Sequence, residues 1–129
     1  MPEINQNRIN EILNISNNIQ GWCKPVGGIL LYIIGLLYTP NNTFVELGSW
    51  KGTSTVWLAS ALKDRQEERG RLYAVDTWEG SPDEEAHKEL LKGYEQDQLY
   101  DEFLVNMSNA GVWEFIEPLR NDTVSASRE

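Results

Sequence analysis

The chain has 129 residues, of which 40% are hydrophobic and 24% charged, and its formal net charge is −9. These values fit one globular domain with a single core. The negative charge argues against binding through nucleic-acid phosphates, because such contacts need Lys and Arg. Cys23 is the only cysteine, which excludes an intrachain disulfide and predicts a reducing, cytoplasmic location. The longest apolar run, residues 26–38, is too short to cross a bilayer, so no membrane role is predicted.

Residues 1–40 are predicted to form two helices. Isoleucines and a leucine at helical spacing predict an amphipathic helix over residues 4–20. Pro25 is well placed to open a second helix that continues through Tyr38. The sequence "TPNN" that follows is typical of a turn.

Strands and helices then alternate along the chain. Residues 44–47 predict a short buried strand, residues 53 to about 69 a helix closed by Gly70, and residues 71–75 a second strand. This alternation is typical of a parallel sheet with right-handed crossovers, and therefore of an α/β fold.

Two further helices are predicted in the second half. Ser81, Pro82 and Glu84 have the pattern of a helix start, because Ser81 can cap the backbone, Pro82 has no N–H to lose and Glu84 can reach back. Residues 97–110 predict a helix with apolar positions four apart, which Gly111 ends.

A third strand is predicted over residues 113–119. Pro118 within it indicates a sheet edge, because proline cannot donate a ladder hydrogen bond. Asp122 or Thr123 is expected to cap one more helix.

Several chemically active side chains are expected to have ordinary structural roles. Residues 79–102 contain nine Asp or Glu and two Lys, which predicts a solvated helix surface. His87, the only histidine, lies in this region and is expected to be a surface side chain and not a general base. Lys51 is expected to be solvated, and Cys23 is expected to be a packed or half-buried thiol and not a nucleophile. One Cys and one His cannot form a zinc site.

The stretch "FVELGSWKGTSTVWLASAL" joins the first predicted strand to the helix after it. Gly48 and Gly52 lie at this junction, where open α/β sheets bind ligands. Glycine lets the backbone approach a ligand closely, and the free N–H groups of the helix start add polar contacts. Trp50 and Trp78 lie near this junction and fit a core position and a pocket position equally well.

Three types of ligand turn can be compared with this junction. A phosphate-binding loop is excluded, because Lys51 precedes Gly52 instead of following it. A dinucleotide turn is a weak match, because Trp50 occupies the position of the second glycine. In the third type, an acid ends each of the first two strands, as Glu46 and Asp76 do. A carboxylate at the tip of the second strand suits ribose hydroxyls, and a second carboxylate favours a nearby cation. S-adenosylmethionine is the ligand most consistent with both.

The segments "VELGSWKGTSTVWLASAL" and "GRLYAVDTWEG" resemble the class I S-adenosylmethionine-dependent methyltransferases, and more closely the small-molecule O-methyltransferase-like subgroup. The likeness extends to "GW" near the N-terminus and "PLRNDTVSA" near the end. It implies a Rossmann-like fold with three layers, α-β-α, and parallel strands.

The resemblance also implies roles for individual residues. Glu46 would help to place the methionine part of the cofactor, Asp76 would bind the ribose hydroxyls, and Asp122 and Thr123 would contact the adenine. The other residues implied in cofactor binding form the turn, the helix start and the pocket wall. They are Gly48, Ser49, Gly52, Thr53, Ser54, Thr77 and Trp78.

The same resemblance indicates what this chain lacks. The family's sheet continues beyond a third strand, so the domain is expected to be truncated there, with N-terminal helices over residues 1–40 and the first half of the sheet over residues 41–129. Residues 44–47 would then form an unpaired edge that could pair in a homo-oligomer. Most substrate-binding and metal-binding groups of the family follow the fourth strand. The catalytic residues and any divalent metal are therefore unknown.

The expected function is S-adenosylmethionine-dependent methyl transfer to a hydroxyl of a small molecule or sugar. This chain would supply the cofactor-binding half. One alternative is a non-catalytic module that binds a cofactor or a partner, and a weaker one is a NAD-dependent oxidoreductase.

Overall fold

A computed structural model describes residues 2–66, 70–81 and 83–128. The described part contains six α-helices and three β-strands. The helices are α1 Gln6–Asn17, α2 Pro25–Ile33, α3 Thr55–Asp64, α4 Glu85–Leu90, α5 Gln98–Asn109 and α6 Thr123–Ala126. The strands are β1 Thr43–Leu47, β2 Arg71–Asp76 and β3 Ile116–Arg120.

The three strands form one parallel sheet in the order β1-β2-β3. Thr43 pairs with Arg71, and Leu72 pairs with Ile116. The alternation of strands and helices therefore gave the correct sheet type. Pro118 lies in β3 at the edge, as predicted, so its missing N–H leaves no gap in the ladder.

Most of the helices cover one face of the sheet. Phe44, Leu72 and Ile116 point to this face and belong to the core that α1, α2, α3 and α5 complete. The side chains of Leu99, Phe103 and Met107, four apart on α5, are all buried, as their spacing predicts.

The opposite face of the sheet carries little cover within the described residues. Val45 and Leu47 of β1 are each 62% exposed. They line a groove of about 520 Å³ with side chains of β2 and β3, and α6 flanks it. The sheet thus has flanking helices as predicted, with the second layer represented by the short helix α6.

The two predicted N-terminal helices are present, with differences at their ends. Pro25 occupies the first turn of α2, as expected. The helix continues through Tyr38, but residues Ile34–Tyr38 form a π-helical turn. The first helix is shorter than predicted and ends at Asn17.

Two further predicted boundaries are wrong. Helix α3 ends at Asp64 because Gln66 adopts a left-handed conformation (φ 57°). Arg69, where the prediction ended this helix, lies outside the described residues. Residues Trp113–Phe115, predicted as strand, form a 3₁₀ turn before β3.

The helix start predicted at Ser81 is also wrong, since α4 begins at Glu85. The Ser81 N–H donates to the Nδ1 atom of His87 at 2.9 Å. In the predicted capping pattern, the Glu84 carboxylate would accept this N–H instead. Pro82 lies outside the described residues.

Candidate functional site

The junction between β1 and α3 is a tight turn with an unusual backbone. Gly48, Trp50 and Gly52 all have positive φ angles, at 83°, 54° and 102°. The N–H of Gly48 donates to the carbonyl of Val75 at 2.8 Å, which fixes the turn to the end of β2. A tryptophan in the left-handed region costs about 1–2 kcal/mol, so contacts around the turn must hold it there.

Asp76 supplies the main support for this turn. Its Oδ2 atom accepts the N–H of Trp50 at 2.8 Å, and its Oδ1 atom accepts the N–H of Trp78 at 2.8 Å. The indole of Trp78 in turn donates to the carbonyl of Trp50 at 2.7 Å. Each oxygen of Asp76 keeps a second lone pair, so a ligand hydroxyl could still bind there. The two tryptophans are buried and belong mainly to the core.

Glu46 lies beneath the same turn, and two hydroxyl groups donate hydrogen bonds to its carboxylate. Its carboxylate accepts hydrogen bonds from the Oγ of Ser54 at 2.7 Å and the Oγ1 of Thr55 at 2.5 Å. Burial raises the pKa of Glu46, the nearby charge of Asp76 raises it further, and the hydroxyls oppose both effects. Thr55, which the resemblance did not single out, therefore belongs to this site.

Ser49 is the one polar side chain in the described residues that is buried without a hydrogen bond. Its Oγ atom meets no partner of acceptable geometry, although it lies near enough to Glu46 to stabilise that charge. Leaving a buried hydroxyl unpaired costs about 1–3 kcal/mol. Such a group is typical of a site that a ligand completes.

Ser49 lines a cleft of about 130 Å³ on the open side of the turn. The cleft brings together four of the predicted site residues and three residues of the loop before α2. Its lining residues are Gly21, Trp22, Cys23, Gly48, Ser49, Trp50, Thr53 and Ser54. The wall formed by residues 21–23 is not among the site residues predicted from the sequence, although "GW" formed part of the family resemblance.

Cys23 in this wall is a half-buried thiol, as expected. Burial raises its pKa, and the negative charge of Glu46 raises it further. Both effects disfavour the thiolate, so the site gives Cys23 no activation as a nucleophile.

The remaining predicted hydroxyls already have partners within the fold. The Oγ1 of Thr53 donates to the carbonyl of Ile19 at 3.2 Å, which ties the turn to the end of the N-terminal helix region. The Oγ1 of Thr77 accepts the N–H of Glu79 at 3.2 Å.

The residues predicted to contact adenine lie at the end of β3. Asp122 caps α6, because its carboxylate accepts the N–H and the hydroxyl of Ser125 at 2.7 and 2.9 Å, and these bonds lower its pKa. Thr123 lines the groove on the open face of the sheet instead of the cleft at the glycine turn. The N–H of Asn121 donates to the carbonyl of Asp76 at 3.0 Å, which joins the two strand ends.

The prediction that Lys51 is solvated is wrong. The residue is 5% exposed, and its Nζ atom lies 3.0 Å from the hydroxyl of Tyr94 and 3.4 Å from Oε1 of Glu102. The hydroxyl of Tyr94 donates to Oε2 of Glu102 at 2.6 Å. The ammonium group also lies 5.3 Å from the centre of the Tyr94 ring. Lys51 therefore fastens the turn to α5 and the loop before it.

The exposure predicted for His87 is also wrong. Its side chain is 16% exposed and stacks on Trp50, with ring centres 4.6 Å apart and an angle of 23°. Trp22 lies 5.3 Å from the same ring. Because the Nδ1 of His87 accepts the Ser81 N–H, that nitrogen carries no proton in this arrangement. The imidazole supports the outer side of the turn.

Two further properties concern metals and membranes. Across residues 2–66, 70–81 and 83–128, no group of three His, Cys, Asp or Glu side chains is placed to hold a metal ion. In the same part of the chain, no helix has the length and hydrophobicity that a membrane span requires.

Comparison with known proteins identifies the family. The model of a family described as "Methyltransferase domain" matches residues 45–127, which is more than half of the chain. The chain belongs to this methyltransferase family. The predicted class I methyltransferase family and its Rossmann-like fold are thereby confirmed. No curated protein matches the chain significantly.

Solved structures support the same fold for this methyltransferase chain. The O-methyltransferase TomG from Streptomyces achromogenes, involved in tomaymycin synthesis and solved with SAM, has a TM-score of 0.51 and 17% identity over 92% of this chain. Cofactor-bound Rv0187 from MTB has a TM-score of 0.50 and 19% identity over 89% of this chain. The match spans only 44% of each of those chains.

Proposed function

We propose that this chain is the cofactor-binding part of an S-adenosylmethionine-dependent methyltransferase whose acceptor is a hydroxyl of a small molecule. The observation that carries the proposal is the buried, unpaired hydroxyl of Ser49, a residue that lines the cleft at the glycine turn. A ligand with a polar group at this position would satisfy the hydroxyl. The methionine part of the cofactor, with its ammonium and carboxylate groups, fits this requirement.

The groups around Ser49 suit such a ligand. A Cβ built on Gly48 would have no atom within 4 Å, so the backbone there is open to a close approach. The carboxylate of Glu46 lies beneath the turn and favours a positive charge nearby. Asp76 remains the proposed ribose ligand through its free lone pairs. Thr77 and Trp78 remain proposed pocket residues beside Asp76, and Asp122 and Thr123 remain the proposed adenine contacts.

S-adenosylmethionine supplies an electrophilic methyl group, so the protein mainly has to orient the two reactants. The residues of this chain would bind and orient the cofactor. We assign no general base and no metal ligand to them. The O-methyltransferase named among the structural matches and the net charge of −9 favour a small hydroxyl acceptor over a nucleic acid.

Calorimetric titration with S-adenosylhomocysteine tests this proposal directly. We expect binding to the wild-type chain, and a loss of about 0.5–1.5 kcal/mol, or roughly three- to tenfold in Kd, in Ser49→Ala, because one hydrogen bond to the ligand is removed. The unfolding free energy of Ser49→Ala should change by less than about 1 kcal/mol, because the hydroxyl makes no hydrogen bond of acceptable geometry in the free protein but lies near the Glu46 carboxylate.

Two variants serve as controls for this titration. Ser108→Ala makes the same chemical change on the exposed surface of α5 and should bind like the wild type. Asp76→Ala should lose about 1–3 kcal/mol of binding and should also unfold more easily, since it releases the N–H groups of Trp50 and Trp78. Absence of binding in a folded wild-type chain, or binding of NAD in its place, would overturn the proposal.

The unpaired edge of β1 supports a second candidate, a non-catalytic module that completes its sheet with another chain. The observation in its favour is the position of β1 at the edge of the sheet that the described residues form, beside an open face on which Val45 and Leu47 are exposed. Methyl transfer by a longer chain containing these residues would favour the enzyme, and a stable complex through β1 without any activity would favour the module.

A further inference from the structure

Helix α5 holds the glycine turn at a backbone atom as well as at a side chain. The Nδ2 atom of Asn106 donates a hydrogen bond to the carbonyl of Lys51 at 3.0 Å. One helical turn earlier, Glu102 pairs with the ammonium group of the same lysine. A carbonyl oxygen only accepts, so the amide of Asn106 presents its nitrogen here. Lys51 is therefore held by α5 through both its main chain and its side chain.

This contact falls on a β-turn with an unfavourable backbone. The N–H of Gly52 donates to the carbonyl of Ser49 at 3.0 Å, which closes a turn over residues 49–52. Trp50 and Gly52 have positive φ angles of 54° and 102°. The left-handed region is unfavourable for tryptophan, so bonds from outside the turn are needed to keep this conformation.

Two side-chain N–H groups supply those bonds to successive peptides of the turn. The indole of Trp78 donates to the carbonyl of Trp50 at 2.7 Å, and Asn106 donates to the next carbonyl, that of Lys51. Because a peptide unit is planar, fixing its carbonyl fixes the orientation of the whole unit. Trp78 thus orients the first of these peptides and Asn106 the second.

The segment 50–52 also separates two groups of cleft residues. The cleft residues on either side of it in the chain are Gly48, Ser49, Thr53 and Ser54. Because only three residues join the two groups, a rotation of the peptide that follows Lys51 would shift Thr53 relative to Ser49. The shape of the cleft therefore depends on the orientation of this peptide.

We propose that Asn106 is a positioning residue of the candidate cofactor site. It acts through the peptide that follows Lys51 and does not itself touch the ligand. Without its hydrogen bond the turn would populate orientations that do not fit the ligand, and the measured affinity falls with the fraction of molecules that fit. This inference rests on the proposed function, since it requires a cofactor in the cleft.

Helix formation alone does not explain an asparagine at position 106. The residue lies in the interior of α5, Gln98–Asn109, and its side chain is half-buried. Asparagine is a weaker helix former than alanine, because its side chain competes for backbone hydrogen bonds. Replacing it with alanine should favour the helix while it releases the turn, so ligand affinity should change more than stability does.

Calorimetric titration with S-adenosylhomocysteine tests this inference with two matched variants, Asn106→Ala and Asn109→Ala. Asn109 is the last residue of the same helix and is exposed, so its variant makes the same chemical change away from the turn. We expect Kd to rise about three- to tenfold in Asn106→Ala, the scale of one hydrogen bond, and to keep its wild-type value in Asn109→Ala. Urea unfolding of the same samples should show that both variants are folded under the titration conditions.

Amide hydrogen exchange measured by NMR tests the same mechanism without a ligand. The N–H of Gly52 closes the turn, whereas the N–H of Gly48 bonds to the carbonyl of Val75 in β2. Asn106→Ala should speed exchange at Gly52 and leave Gly48 unchanged, because only the turn is released. A general loss of stability would speed the exchange of both amides alike.

The outcomes separate this inference from the proposed function. If the wild type binds S-adenosylhomocysteine and Asn106→Ala binds it equally well, the inference is wrong and the proposed function stands. Equal weakening of binding in both asparagine variants, or equal acceleration of the Gly48 and Gly52 amides, would reduce Asn106 to a residue that only stabilises the fold. A folded wild type that does not bind the ligand would overturn both.

Discussion

The two sides of the glycine turn share a left-handed backbone but face opposite environments. On the Gly48 side the backbone borders the open cleft, and a Cβ would meet nothing within 4 Å. On the Gly52 side the backbone packs on α5, and a Cβ would lie 2.2 Å from the Cε of Met107. The same residue type thus provides ligand access at one position and close helix packing at the other. Spacing in a glycine motif does not distinguish these two uses.

The sharpest test of this difference is Gly52→Ala. The variant must accept a φ of 102°, at about 1–2 kcal/mol, and displace the flexible end of Met107, at about 1–3 kcal/mol. We expect the free energy of unfolding to fall by about 2–5 kcal/mol, measured by urea unfolding. In a Met107→Ala background, which is itself destabilised by the cavity left in the core, Gly52→Ala should cost only the backbone part. If Gly52→Ala is as stable as the wild type, the turn does not pack on α5 as described.

The sequence predicted the fold better than it predicted this packing. The order of elements, the edge position of Pro118 and the apolar side of α5 follow from local periodicity and from the chemistry of proline and glycine. The turn itself, with Glu46 at the strand end, was predicted from the residues at the junction. These features depend on neighbours within a few positions along the chain.

The errors concern contacts between distant parts of the chain. Lys51 is buried because Tyr94 and Glu102, more than forty residues later, surround its ammonium group. His87 is covered by Trp50 and Trp22. A charged or titratable residue in a polar stretch predicts solvent exposure unless its tertiary partners are known, and no local pattern announces those partners.

Lys51→Met tests whether the buried ion pair holds the turn on its packed side. Methionine keeps the volume but removes the charge that Tyr94 and Glu102 share. Because Glu102 is partly exposed, water screens the interaction, and we expect a loss of about 1–2 kcal/mol in unfolding free energy. Lys88→Met, which removes an exposed pair with Glu85, should change stability by less than about 0.5 kcal/mol. Equal effects of the two variants would contradict the role assigned to Lys51.

Gly48→Ala tests the open side of the same turn. The only cost to the free protein is the φ of 83°, so we expect a loss of about 1 kcal/mol in unfolding free energy. The methyl group would project into the space proposed for the cofactor, so binding of S-adenosylhomocysteine should weaken more than stability does. Calorimetry and urea unfolding of the same sample measure both effects. If binding is unaffected while stability falls, the ligand does not approach Gly48.

The smallest effect we expect is a change in how stability depends on pH. The pKa of Glu46 is raised in the folded protein, mainly by burial, so between the unfolded and folded pKa values the folded state binds more protons than the unfolded state. The free energy of unfolding should therefore decrease as pH rises through that interval, starting near the ordinary carboxyl pKa of about 4.3. Glu46→Gln cannot ionise and should lose this component, which leaves a flatter profile. Glu114→Gln, at an exposed position, should keep the wild-type slope. If the stability profiles of the wild type and Glu46→Gln coincide in urea unfolding, the Glu46 carboxylate does not titrate in this way. The hydroxyls around Glu46 would then stabilise its ionised form enough to cancel the effect of burial.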